Sequence, residues 1–289
     1  MNAVRERKRK RKLQRNKKYE STNAKSSHRP TPAKHLRQIS KLDSFLASYC
    51  EYTSYTSSFD IMLRVVVYSF WVLAWATRTS PSPYDETNNV FSASMYDLMD
   101  NIHLCRYIFR FSGLLEAFEG IRTGSWAGGS WEDPRIIFIA KYFLAGTMLF
   151  YYPFDHLVYL GFTIPELVKV DPWLHFSYSC RVWFVFIVAD IAACRLKLLE
   201  LQRNRMESEL SANSEDDKMM KAFNDAMHHS KVRFVKLQLL RSSCTLIPAI
   251  SWSIYGRKKP LFGEAPENGL MLIESYLAVY QEAFSSDED

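Results

Sequence analysis

The stretch Asp60-Ile-Met-Leu-Arg64-Val-Val-Val-Tyr68-Ser-Phe-Trp-Val-Leu-Ala-Trp75 constrains this chain more than any other. It places one Asp and one Arg a helical turn apart at the head of an otherwise apolar run. Residues 65–77 are uncharged but only thirteen long, short of the roughly 20 that carry a helix across a bilayer. Arg64 interrupts the run, and its long stem would let the guanidinium snorkel to headgroup level. The segment just before it, 39–58, repeats apolar or aromatic residues at steps of three and four, the spacing of one helical stripe. Ser40, Ser44, Ser48, Ser54, Thr56 and Ser58 oppose that stripe. Leu42, Phe45, Leu46, Tyr49 and Tyr52 set against hydroxyls rather than charges predict a helix that binds membrane by insertion. The same periodicity also suits a helix buried in a soluble core.

Helical patterning continues to the end. Apolar stripes predict helices over 95–123, 135–161, 176–201, 216–240 and 270–284, with an uncharged segment, 242–255, that contains Pro248. The fold class is therefore all-α: a membrane-embedded or interfacial protein with amphipathic helices and a disordered basic tail. The regions are a tail at 1–37, a helical membrane domain at 38–256, and a C-terminal amphipathic helix with an acidic tail at 257–289. No run reaches eighteen uncharged apolar residues, so the number of spans stays open. Lys141, Asp155 and Asp190 inside a membrane would need a partner, a cavity or the interface.

Charge is unevenly divided. Residues 1–37 hold seven Arg and seven Lys against Glu6 and Glu20, a net of +12. The whole chain carries +6, so the remainder is acidic. The tail is too polar to offset its ordering entropy by burial, and it suits an anionic membrane surface. It has no aromatic before Tyr19 and no docking fold, which argues against nucleic acid. The five cysteines are dispersed and never in C-x-x-C spacing, as expected of a reducing compartment without a disulfide framework.

Catalytic patterns are missing. The chain has no G-x-S-x-G, H-E-x-x-H or P-loop. His228-His229 is the closest approach to a metal motif, and neighbours on a helix point about 100° apart. The expectation is a protein that is not an enzyme, with no catalytic residue, cofactor or metal.

Five blocks then fall in a telling order: Asp60, Leu63, Arg64, Tyr68 and Trp75; Arg106-x-x-x-Arg110-Phe-Ser-Gly-Leu-Leu-Glu116; Asp155-His156-Leu157; Cys180-Arg181-Val-Trp183; and the basic helix of 231–246 leading into an apolar segment. Together they resemble the peroxin-11 family of peroxisomal membrane proteins. The resemblance implies residence in the peroxisomal membrane, elongation of that membrane before organelle fission, and self-association into homo-oligomers. It also implies contact with the fission machinery and with a membrane-protein import receptor. Lys231, Arg233, Lys236 and Arg241 are the residues expected to meet that receptor or anionic lipid. In the mechanism this suggests, Leu42, Phe45, Leu46, Tyr49 and Tyr52 wedge into one leaflet of the bilayer and expand it. Two rivals are a solute pore lined by Lys141, Asp155 and Asp190, and a soluble helical adaptor with a nucleic-acid-binding tail.

Overall fold

The apolar run after Asp60 forms helix α1, Phe59–Thr77. In this computed structural model, residues 59–80, 89–211, 218–254 and 261–285 are described. All belong to one compact unit, Ser48–Asp289. The wedge residues Leu42, Phe45, Leu46, Tyr49 and Tyr52, and the tail 1–37, lie outside the described residues.

Helix α2, Val90–Phe109, starts five residues earlier than the stripe predicts. Asn89 caps it, its side chain accepting from the Ser92 amide at 2.7 Å, which satisfies a donor the first turn leaves open. A 3₁₀ turn, Arg110–Ser112, joins α2 to α3, Gly113–Thr123. Gly124 ends α3 at φ 79°, a left-handed conformation suited to glycine. Helix α4, Pro134–Thr163, spans 30 residues. Asp133 caps it, Pro134 takes the first position, and residues Ile139–Ala145 run as a π-helical segment.

Helix α5, Pro172–Ser211, has 40 residues, about 60 Å at 1.5 Å per residue. Helix α6, Lys218–Trp252, runs unbroken through Pro248. The basic helix and the apolar segment expected to follow it are thus one element. Helix α7, Glu264–Ser285, begins six residues before its apolar stripe, with Glu264 and Glu267 in the first turn, where carboxylates suit the helix dipole. It belongs to the same compact unit as the other helices.

Small residues let the helices approach. Ala127, Ile136, Ala140, Leu144 and Ala189 form one apolar core; Val67, Tyr68 and Met271 form another, uniting α1 with α7. Gly113 lies under the Tyr152 ring, so close that a Cβ there would stand 2.2 Å from the ring carbon bearing the hydroxyl.

Several charged side chains are buried beside these apolar cores, while large aromatics stand exposed. Asp155 is 1% exposed and Glu274 3%, whereas Phe118 is 53% and Phe150 65% exposed. Helix α7 turns Glu267, Glu274 and Gln281 inward and Ile273, Tyr276 and Tyr280 outward. Helices α1 and α4 are long and apolar enough to cross a membrane, and only 22% and 28% of their apolar windows are buried inside the protein. A run free of charge is not needed for such a helix when its charged residues find partners among neighbouring helices.

Candidate functional site

The motif residues converge on one buried ionic network. Asp60 and Arg64 share a face of α1, four residues apart; Arg106 and Arg110 share one across the α2–α3 junction. Arg106 grips Asp60 with Nε at 2.8 Å and Nη2 at 3.3 Å. Arg64 and Arg110 each reach Asp60 at 3.9 Å. Arg110 donates to Asp155 Oδ2 at 2.8 Å and to the Tyr151 hydroxyl at 2.9 Å. Ser179 of α5 donates to the other Asp155 oxygen at 2.8 Å. Such charge-assisted bonds hold better in a low-dielectric interior than in water.

Helix α7 completes the network. Arg64 Nη1 lies 2.6 Å from Glu274 Oε2, and Arg241 Nη2 2.9 Å from Glu274 Oε1. Arg241 also donates to Gln281 at 2.7 Å. Higher on α7, Glu264 accepts from Trp71 Nε1 at 2.7 Å, Arg78 at 2.6 Å and the Tyr96 hydroxyl at 3.0 Å. Glu267 takes the Trp252 indole at 3.0 Å. On the far side, Asp190 accepts from Gln238 at 2.8 Å and from Ser242.

Beside the network lies a cavity of about 840 Å³. Arg64, Arg106 and Arg110 line it, together with Tyr107, Phe176 and Trp183. Burial, and next the charge of Asp155, pushes the Tyr107 phenol and the Cys180 thiol up, so both stay protonated. His103 Nδ1 sits 3.3 Å from Arg106 Nη1. A guanidinium only donates, so Nδ1 accepts and the ring is neutral. Among the described residues, no group of three or more His, Cys, Asp or Glu stands together as metal ligands.

The remaining motif residues divide between core and surface. Tyr68 is buried edge-on to His103, with centroids 6.1 Å apart. Trp183 stacks on Trp252 at 6.2 Å. Arg181 donates to the Ser253 carbonyl at 3.0 Å. Trp75 is exposed, with the Arg78 guanidinium 5.6 Å over its ring. His156 stacks on Phe111 at 3.8 Å, so Asp155 and His156 serve different neighbours.

Three expectations change. Arg64 does not snorkel, because Glu274 offers a closer and drier partner. Lys231, Arg233 and Lys236 are exposed on α6, but Arg241 is turned inward, so the four do not make one surface. Lys141, Asp155 and Asp190 do not gather: Lys141 reaches the Arg122 carbonyl at 3.3 Å, while Asp155 and Asp190 are engaged separately as above.

Sequence reading missed Glu264, Glu267, Glu274, Gln238 and Gln281. A signal existed: Glu267, Glu274 and Gln281 recur at seven-residue steps, the period of one helix face.

The family model described as Peroxisomal biogenesis factor 11 (PEX11) matches residues 46–261. No curated protein and no solved structure matches the chain. The matched span holds Asp60, Arg64, Arg106, Arg110, Asp155 and Arg241, and stops before α7 supplies Glu274.

Proposed function

The chain belongs to the peroxisomal biogenesis factor 11 family, whose role is in peroxisome biogenesis, and from that premise we propose that it elongates the peroxisomal membrane before organelle fission. Buried ion pairs beside broadly exposed aromatic faces carry this reading. Buried ion pairs inside and exposed aromatics outside suit a body solvated by lipid rather than water. In this reading α1 and α4 cross or deeply enter the bilayer, and the network holds them to α2, α5 and α7.

The embedded body anchors the wedge. Leu42, Phe45, Leu46, Tyr49 and Tyr52 enter one leaflet just ahead of α1 and expand it. Each large apolar side chain contributes about 1.5–3 kcal/mol when fully buried, so five together offset the ordering of one helix even when partly inserted. Self-association through the exposed aromatic faces concentrates the wedges until the bilayer bends. The protein works by occupancy, not turnover, and its partners are the bilayer, further copies of itself, the import receptor and the fission machinery.

The test reconstitutes the full chain in liposomes of peroxisome-like anionic content. The wild type is expected to resist alkaline carbonate and to draw tubules; Phe45→Glu with Leu46→Glu is expected to stay embedded without tubulating. Release of the wild type by carbonate, or tubulation undiminished in the double variant, refutes the reading.

A further inference from the structure

We infer that the aromatic end of the cavity beside the ionic network binds an organic cation, a quaternary ammonium group of the choline type. The observation that points there is a run of rings with no cation of their own. Phe162, Trp173, Phe176, Trp252 and Trp183 all line the cavity. They follow one another in that order, with centroids 5.3, 6.4, 6.2 and 6.2 Å apart. The face of an aromatic ring is partly negative and attracts a cation within about 6 Å, tryptophan most strongly.

The protein uses that attraction elsewhere. Among the described residues, cations lie over Trp75, Tyr107, Trp131, Tyr151, Tyr178 and Tyr280, and over none of the five. Arg110 serves Tyr107 and Tyr151 at 5.8 and 6.0 Å, and both of these also line the cavity. One aromatic wall therefore has an internal cation and the other has none. Charge agrees. In the lining, Arg64, Arg106 and Arg110 face four carboxylates, those of Asp60, Asp100, Glu116 and Asp155. The lining is thus one charge negative, and a single bound cation balances it. Asp100 is half-buried. Met99 and Ile102, on either side of it in the chain, pack in the same apolar cluster as Trp183 and Trp252, so Asp100 stands level with the bare aromatic wall.

Phe162 and Trp173 are exposed, Trp173 at 63%, so they form the rim that a ligand passes. The volume of about 840 Å³ exceeds what one trimethylammonium group fills, and leaves room for an attached chain. A free solute such as choline and the head of a one-chain choline lipid share the required chemistry: three methyl groups spread one positive charge over a surface that rings can cover. A primary ammonium is more strongly hydrated and would give up that water for rings that replace little of its hydrogen bonding. This assignment goes beyond membrane elongation and does not rest on the leaflet wedge, and no residue of 39–58 is needed for it.

The experiment titrates the full chain in non-ionic detergent with choline, read by calorimetry. Two relatives of choline are the controls: dimethylbutanol, in which carbon replaces the ammonium nitrogen, and ethanolamine, which keeps the charge without the methyl groups. Saturable uptake of choline at one site per chain is expected, about tenfold or more tighter than either control. Lysophosphatidylcholine is the competitor. Displacement of choline by it assigns the site to a lipid head, and failure to displace assigns it to a free solute. Trp173→Leu is expected to weaken choline binding several-fold, Trp173→Phe less, and Asp100→Asn several-fold, each with the fold intact by circular dichroism. Non-saturable uptake, equal binding of dimethylbutanol, or unchanged affinity in both Trp173→Leu and Asp100→Asn overturns the assignment. Trp173 is exposed and outside the ionic network. Should Asp100→Asn fail to fold, the Trp173 variants and the ligand series decide alone.

Discussion

Arg64 and Glu274 are 210 residues apart in the chain and 2.6 Å apart in space. The pair joins α1, inside the family match, to α7, outside it. Glu274 also neutralises Arg241, so a single carboxylate holds three helices.

Glu274→Gln is therefore expected to be among the most destabilising conservative changes in the chain. It leaves two guanidiniums short of a counter-charge in a dry site, a loss of roughly 3–5 kcal/mol. The i,i+3 pair Arg122–Glu119 at 2.7 Å, whose arginine is 44% exposed, provides the control, since Glu119→Gln is expected to cost no more than about 1 kcal/mol. Thermal unfolding in a fixed detergent compares them, and equal shifts would mean that Glu274 is not a buried counter-ion.

Two helical glycines are expected to respond in opposite directions. A Cβ at Gly113 would collide with Tyr152, while one at Gly146 would meet nothing nearer than the Lys141 carbonyl oxygen at 3.6 Å. Gly113→Ala should lose roughly 1–3 kcal/mol by overpacking. Gly146→Ala should gain about 0.5–1 kcal/mol from reduced backbone entropy. Unfolding midpoints of the two variants give the sign of each.

The helices were legible because apolar spacing reports a buried or lipid-facing stripe whatever surrounds it. Asp60, Arg106, Arg110 and Asp155 were legible as a motif, but their mutual contacts were not. Nothing local in the chain brings residue 60 against residue 106, or residue 110 against residue 155; packing does. The C-terminal helix shows the sharper limit. Its spacing marks an amphipathic helix, with no indication of which face turns inward. In the fold the carboxylate face turns inward, and Glu274 is an interior residue. Periodicity finds the two faces of a helix but does not say which solvent each one meets.

Acid should weaken the fold before its carboxylates titrate. Burial first, then the charges of Arg106 and Arg110, lowers His103 from 6.5 to about 3, with Asp60 opposing. A lowered folded-state pKa means that the unfolded chain takes a proton the folded chain refuses. Stability from this source is whole above pH 6.5 and falls as pH drops toward 3. Its slope reaches at most about 1.4 kcal/mol per pH unit. Between pH 6.5 and 5 the wild type should lose stability faster than His103→Gln, as read from unfolding midpoints. Parallel curves would place His103 in water.

The basic residues of α6 divide into two kinds, and their variants should separate accordingly. Lys231, Arg233 and Lys236 face outward, with the Arg233 guanidinium 5.4 Å over the Tyr280 ring. Arg241 faces Glu274 and Gln281. Changing the outer three to Gln keeps helix propensity nearly constant and leaves the network untouched. A fluorescent fusion of that triple variant should keep its thermal stability. It should leave peroxisomes where a receptor reads the charges, or stay with a more salt-sensitive attachment where they only meet headgroups. Arg241→Gln should do the reverse, losing stability while its surface charge pattern is unchanged. A triple variant that unfolds, or an Arg241→Gln protein as stable as wild type, would show that the inward and outward assignments are exchanged.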